Sequence, residues 1–151
     1  MRCYILSILT FLLATSINHS QEIDETKKNI ISSIENHQSE IIKISDQIWG
    51  LAELAFNEYE SSKILSDYAE KNGFIVEKGV AGMPTAFVAS YGSGKPVISV
   101  LGEFDALPGL SQDTTHNKNP LIEGGSGHGC GHNMFGAASL ASAIAIKEQI
   151  E

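Results

Sequence analysis

The amino-acid sequence predicts an α/β fold, and three observations carry that prediction. Apolar residues recur at helical spacing through residues 22–57. Two runs of strand formers, residues 85–91 and 97–101, follow. The second run leads into an acidic segment, and a glycine-rich stretch then precedes a helix of small residues. Helices, then strands, then a polar segment at the end of a buried strand is an α/β layout. Such folds place their sites beyond the carboxyl ends of the strands.

The chain has 151 residues, 42% hydrophobic and 19% charged, which fits one globular core of ordinary size. Its net charge is −8 and no basic run occurs. Nucleic acid and anionic membranes are poor partners for such a chain, because both need clustered Lys and Arg. Residues 1–20 read as a secretory signal peptide. Arg2 gives a positive start, residues 4–17 are nearly all apolar, and the next charge is Glu22. The apolar run is shorter than the ~20 residues a spanning helix needs, which favours a cleaved leader over an anchor. A secreted or periplasmic location follows. Once the leader is removed, Cys130 is the remaining cysteine and has no intramolecular disulfide partner.

Ile23, Ile30, Ile34, Ile41, Ile44, Ile48 and Leu51 lie three, four or seven apart, with Lys, Glu, Asn and Gln between them. This predicts one long amphipathic helix, or two meeting near Gly50. Ser61 or Ser62 is a plausible N-cap for the next helix, with Ile64, Leu65, Tyr68 and Ala69 on its inner face. Asn72-Gly73 ends it. Residues 74–76 read as a short strand, residues 79–84 as a turn and residues 85–91 as a second strand. Gly92-Ser93-Gly94 looks like a hairpin loop. Residues 97–101 (VISVL) form a continuous apolar run, as expected of a strand buried on both faces. Residues 113–119 are loop-like, and residues 133–151 form a helix suited to close packing.

The chemistry concentrates in two segments. Cys130 and His132 are two apart in GHGCGHN, and thiolate and imidazole are common ligands of zinc and similar ions. In an extended segment both would point the same way. The flanking glycines remove side chains that would crowd an ion, and the helix that follows presents its positive end. His128 could support a ligand from behind. An ordinary turn is the plain alternative; a phosphate loop is disfavoured, because no Lys follows the last glycine. Glu103 and Asp105, directly after the VISVL run, also share a side. Two carboxylates at a strand end can ligate a metal or orient a water, although taken alone they fit a solvated loop as well.

The segments GEFDALPGLSQ and GHGCGHNMFGAASLASA together resemble the paired signatures of the metallopeptidase and amidohydrolase family that contains aminobenzoyl-glutamate hydrolase, glutamate carboxypeptidases and aminoacylases. IWGLAELAFNEYESSKIL upstream is also similar to that family's N-terminal region, so the likeness covers residues 41–146. The resemblance implies a three-layer α/β/α zinc-peptidase-like catalytic domain, a separate lid and dimerisation domain, a homodimer, and one or two divalent ions, zinc or manganese. It implies hydrolysis of an aminobenzoyl-glutamate or N-acyl amino acid amide, which touches folate catabolism. Carried over residue by residue, Cys130 and His132 match metal ligands, and Asp105 matches the catalytic-site aspartate that supports the metal from the strand end. Many members carry a His where this chain has Glu103, which leaves that residue's contact with metal open.

The family's general-base Glu and further His ligands have no match in these 151 residues. The expectation is therefore residues 1–20 as signal peptide and 21–151 as the N-terminal part of a truncated catalytic domain without its lid, inactive by itself. The rival is a non-catalytic exported metal-binding piece or a decayed gene product. The reading frame after Glu151 separates the two, because adjacent glutamates further on would favour the enzyme. For the leader, N-terminal sequencing of the exported protein is expected to begin between about residues 17 and 23. An intact Met1 on the exported protein would contradict cleavage.

Overall fold

The structure is a computed structural model that describes residues 24–150. The expected leader, Cys3 and Ile23 lie outside the described residues.

Helix α1 spans Glu25–Leu51 without a break at Gly50, which decides for one helix rather than two. The Asp24 side chain caps it by accepting from the Lys27 N–H at 2.9 Å. Its apolar stripe is buried only toward the C-terminal half. Ile44 and Ile48 are inside and Ile41 partly so, while Ile34 and Leu51 are exposed. In the N-terminal half a polar contact stands where the stripe would predict packing. His37 bonds the Tyr68 hydroxyl through Nδ1 at 2.7 Å and Glu148 through Nε2 at 3.1 Å.

Helix α2 spans Tyr59–Lys71 and starts before the expected serines. Ser61 and Ser62 lie buried in its first turn rather than at its cap. The orphan amides are met from the preceding loop instead. The Glu53 carboxylate accepts from the Glu60 and Ser61 N–H groups at 3.1 and 2.8 Å and from the Ser61 hydroxyl at 2.7 Å. Leu65, Tyr68 and Ala69 are buried and Ile64 partly so, the face that periodicity predicts. The helix ends at Asn72, followed by Gly73.

Strands β1 (Ile75–Lys78) and β2 (Phe87–Ser90) pair antiparallel, in register from Ile75 with Ser90 to Lys78 with Phe87. Val76, Phe87 and Ala89 turn toward the helices. A 3-10 turn, Val80–Gly82, lies between the strands.

Residues 97–101 differ from expectation. They form no ladder, and Val97, Ile98 and Leu101 are 78%, 70% and 73% exposed. Gly92-Ser93-Gly94 is accordingly not a hairpin loop, since no strand follows it. The physical reason is one of partners. A continuous apolar run becomes a central strand when other strands flank both of its edges and layers cover both faces. Among the described residues the sheet has two strands, and neither flanks this run. The described residues thus form a small α/β unit with one two-stranded sheet, and three layers are not seen among them.

Helix α3 (His132–Lys147) completes the unit. Its Ala137, Leu140 and Ile144 join Ile44 and Ile48 of α1 and Leu65, Tyr68 and Ala69 of α2 in one buried cluster. Among the described residues no helix is long and apolar enough to cross a membrane. Ile48→Ala or Ile144→Ala is expected to cost about 2–5 kcal/mol, through lost burial plus the cavity left behind. Ile34→Ala, at an exposed position, is expected to stay within about 0.5 kcal/mol. Urea unfolding of the three variants checks the ranking.

Candidate active site

Residues 102–107 pass across the start of α3 and the end of α1. The Ala106 N–H donates to Glu53 O at 2.7 Å, and Leu107 and Gly127 exchange backbone hydrogen bonds at 3.0 Å. The Ser139 hydroxyl of α3 donates to Leu101 O at 2.7 Å. A Cβ on Gly136 would come 3.0 Å from Glu103 O, so glycine there lets α3 lie close beneath the acidic segment.

This close crossing brings the first residue of α3 to the acids. His132 Nδ1 lies 2.7 Å from Asp105 Oδ1, and its Nε2 lies 3.0 Å from Glu103 Oε2. A carboxylate can only accept, so the hydrogen bond to Asp105 places a proton on Nδ1. The His132 side chain is 19% exposed and that of Asp105 25%, while Glu103 is about half exposed. Asp105 and His132 thus lie on one side. Glu103 contacts His132 as well.

Cys130 is placed differently from the simple alternation argument. It is exposed, and the backbone turns through residues 129–130, with the Gly131 N–H donating to His128 O at 3.2 Å. Side chains two apart do not share a side in a turn, so that argument for Cys130 and His132 does not hold here. Among the described residues no group of three or more His, Cys, Asp and Glu side chains converges to hold a metal ion.

His128 makes its hydrogen bond to α1 rather than to the acids. Its Nε2 lies 3.0 Å from Ile48 O at the end of α1, and its Nδ1 is buried with no hydrogen-bond partner. Burial holds its pKa below the usual imidazole value, against the opposing pull of the Ile48 carbonyl and Asp105. The glycine-rich approach has its own cause. A Cβ on Gly127 would meet Leu110 O at 2.1 Å, so only glycine lets these strands of loop pass each other. Further along that loop, Asp113 accepts from the Thr115 hydroxyl and N–H and from Asn119 Nδ2, which lowers its pKa.

In donor chemistry the Glu103 and His132 pair suits a divalent ion. A carboxylate oxygen and an imidazole nitrogen stand side by side, and the second imidazole nitrogen is oriented by a carboxylate, as metal-bound histidines commonly are. In number the described residues bring two such donors together, fewer than a closed metal site requires. Two surface depressions lie elsewhere, one beside Tyr59, Ser62 and Thr85 and one beside Ile44, Tyr68 and Lys71.

An imidazole between two carboxylates can take part in proton transfer, and relatives of this chain are named as hydrolases and peptidases. The sequence places it in the peptidase and amidohydrolase family of aminobenzoyl-glutamate hydrolase. It is 43% identical over 130 residues to one of the subunits of p-aminobenzoyl-glutamate hydrolase from Escherichia coli. It is 33% identical over 127 residues to thermostable carboxypeptidase 1 of Saccharolobus solfataricus, and 24% identical over 147 residues to human Xaa-Arg dipeptidase. These alignments cover 85%, 83% and 89% of this chain but 27%, 31% and 30% of the relatives. The chain thus spans less than a third of the curated relatives it matches. No family model matches it.

Sequence reasoning found Asp105 and His132 and missed the attachments that hold their loop. Ser126, His128 and Asn133 all bond to groups of α1 or its cap, 74 to 88 residues earlier. No local signal announces such contacts. Asp105→Ala is expected to free the His132 ring. In ¹⁵N-resolved NMR of the imidazoles, the wild type should show His132 protonated on Nδ1, and the variant should shift toward the Nε2 tautomer usual in solution. An unchanged His132 spectrum would contradict the 2.7 Å hydrogen bond.

Proposed function

We propose that this chain supplies part of the active site of a metal-dependent amide hydrolase that cleaves an aminobenzoyl-glutamate or N-acyl amino acid type substrate. The observation that carries the reading is His132 held between Asp105 and Glu103 at 2.7 and 3.0 Å. The similarity to relatives named as hydrolases of such bonds supports it. His132 and Cys130 would hold one or two zinc or manganese ions, with Glu103 as a further candidate. A bound divalent ion would polarise the amide carbonyl and lower the pKa of water. Asp105 fixes the tautomer and direction of the His132 ring, so that Nε2 carries the lone pair a ligand needs. Glu103 adds negative charge beside that nitrogen, which favours a cation there.

The reading extends to location and assembly. Residues 1–20 direct export to a secreted or periplasmic place, and the whole protein works as a homodimer. The Escherichia coli relative is named as one subunit of its enzyme, which supports assembly of some kind. The 151 residues by themselves are inactive in this proposal. Asp105 orients His132 and Glu103 lies against its Nε2, so in this reading the base for water is a group other than these two carboxylates.

Calorimetry with zinc or manganese alone, on the 151-residue chain, tests the metal reading. Weak binding that Cys130→Ser and His132→Ala each abolish is the expected result; binding unaffected by both would refute the site. Assays with aminobenzoyl-glutamate and a panel of N-acyl amino acids test the rest. No turnover is expected from this chain. Turnover sensitive to a chelator and lost in Cys130→Ala would show the inactivity proposal to be wrong.

A further inference from the structure

We infer that His128 is a positioning residue whose ring locks the loop of residues 127–132 onto the last turn of α1 and so sets where His132 stands against Asp105 and Glu103. The inference rests on reading this loop as the site, and it concerns a residue whose side chain touches neither acid.

The contact is one-sided in a telling way. Ile48 O can only accept, so Nε2 of His128 carries the proton and donates across 3.0 Å. Nδ1 then holds a lone pair, and it is buried without a donor. A ring free to turn would give that nitrogen to water. It is kept inside by its fit against the helix end, where Ile48 O also accepts the capping N–H of Ala52 at 3.1 Å. Two further ties run alongside. The Ser126 hydroxyl donates to Ala52 O at 2.5 Å, and Asn133 Nδ2 donates to Ser45 Oγ at 3.1 Å.

The three ties attach the loop along the final turns of α1, and the residues that matter lie between the second and the third. Only Gly129, Cys130, Gly131 and His132 separate His128 from Asn133. Two of those four are glycines, and Gly131 takes φ +81°. Glycines give the segment more backbone freedom than other residues would. With both ends tied, that freedom is spanned by a short closed path, and His132 is delivered to the acids. With His128 unable to donate, the nearest tie before the segment is the backbone pair of Gly127 with Leu107, and His128 itself joins the untied path.

Backbone hydrogen exchange of the metal-free 151-residue chain reads this directly. His128→Phe keeps an aromatic ring but cannot donate, and His128→Gln restores a donor. In His128→Phe, amides of residues 129–132 are expected to exchange at least about tenfold faster, with α1, α2 and the β1–β2 pair unchanged. His128→Gln is expected to return the loop toward wild type. If His128→Phe fails to fold, Ser126→Ala is the second variant, with faster exchange expected in residues 126–129 alone. Loop exchange unchanged in His128→Phe, or accelerated equally in every element, would overturn the inference. For Ser126→Ala the same two outcomes would do so. A zinc titration of the same proteins adds a separate readout: affinity should fall in His128→Phe and recover in His128→Gln. A wild type that binds no zinc would defeat the metal reading, while the exchange pattern would still decide the role of His128.

Discussion

The packing of α3 against α1 is the interaction on which the described structure depends. Ile44 and Ile48 from one helix and Ala137, Leu140 and Ile144 from the other are all nearly inaccessible to solvent, and α2 closes the cluster with Leu65, Tyr68 and Ala69. His132 is the first residue of α3, so this apolar contact carries it to the acidic segment, where polar ties fix the loop before it. The end of α1 is the other fixed point. Glu53 O, Ile48 O and Ala52 O receive bonds from Ala106, His128 and Ser126, so the acidic segment and the glycine loop are aligned to one helix terminus. A terminal turn has carbonyls without intrahelical partners, and here distant parts of the chain use that turn as an anchor.

What the sequence made legible follows from the range of the forces involved. The C-terminal half of the α1 stripe, the inner face of α2, the end of α2 at Asn72, and the β1–β2 pair come from local periodicity and turn chemistry, and these appear. The meeting of Asp105 with His132 was legible because two polar segments, each beside a predicted element, had one plausible common edge. The misses come from contacts distant in sequence. Ser61 and Ser62 look like caps, but the helix starts earlier and the Glu53 carboxylate accepts from the amides of its first turn, Glu60 and Ser61. His128 looks like a partner for a ligand, but its ring turns to a carbonyl 80 residues away. Cys130 looks aligned with His132 only if the segment is extended, and the chain turns there instead.

The apolar run at 97–101 failed for a different reason. Its composition specifies a strand without specifying which strands flank it. An isolated strand gains nothing from β propensity, because that propensity expresses packing against neighbours. Among the described residues the run touches α3 through a single side-chain hydrogen bond, from Ser139 to Leu101 O, and leaves Val97, Ile98 and Leu101 facing outward. Unpaired backbone beside exposed aliphatic side chains is a template for edge-to-edge association.

The same geometry bears on the charge of the site. Two carboxylates that share one imidazole repel each other unless positive charge lies between them, either a proton on the ring or an ion beside it. His132 with Nδ1 committed to Asp105 can meet that need at Nε2 in two ways, by taking a second proton or by ligating a cation. The first makes the edge a simple ion-pair cluster and the second makes it a metal site. Glu103 stands 3.0 Å from Nε2 and is half exposed, so either partner at that nitrogen would lie within its reach. Asp105 is less exposed and keeps the ring direction in either case. The ring direction is thus set by Asp105, and whatever lies at Nε2 has the Glu103 carboxylate as its neighbour.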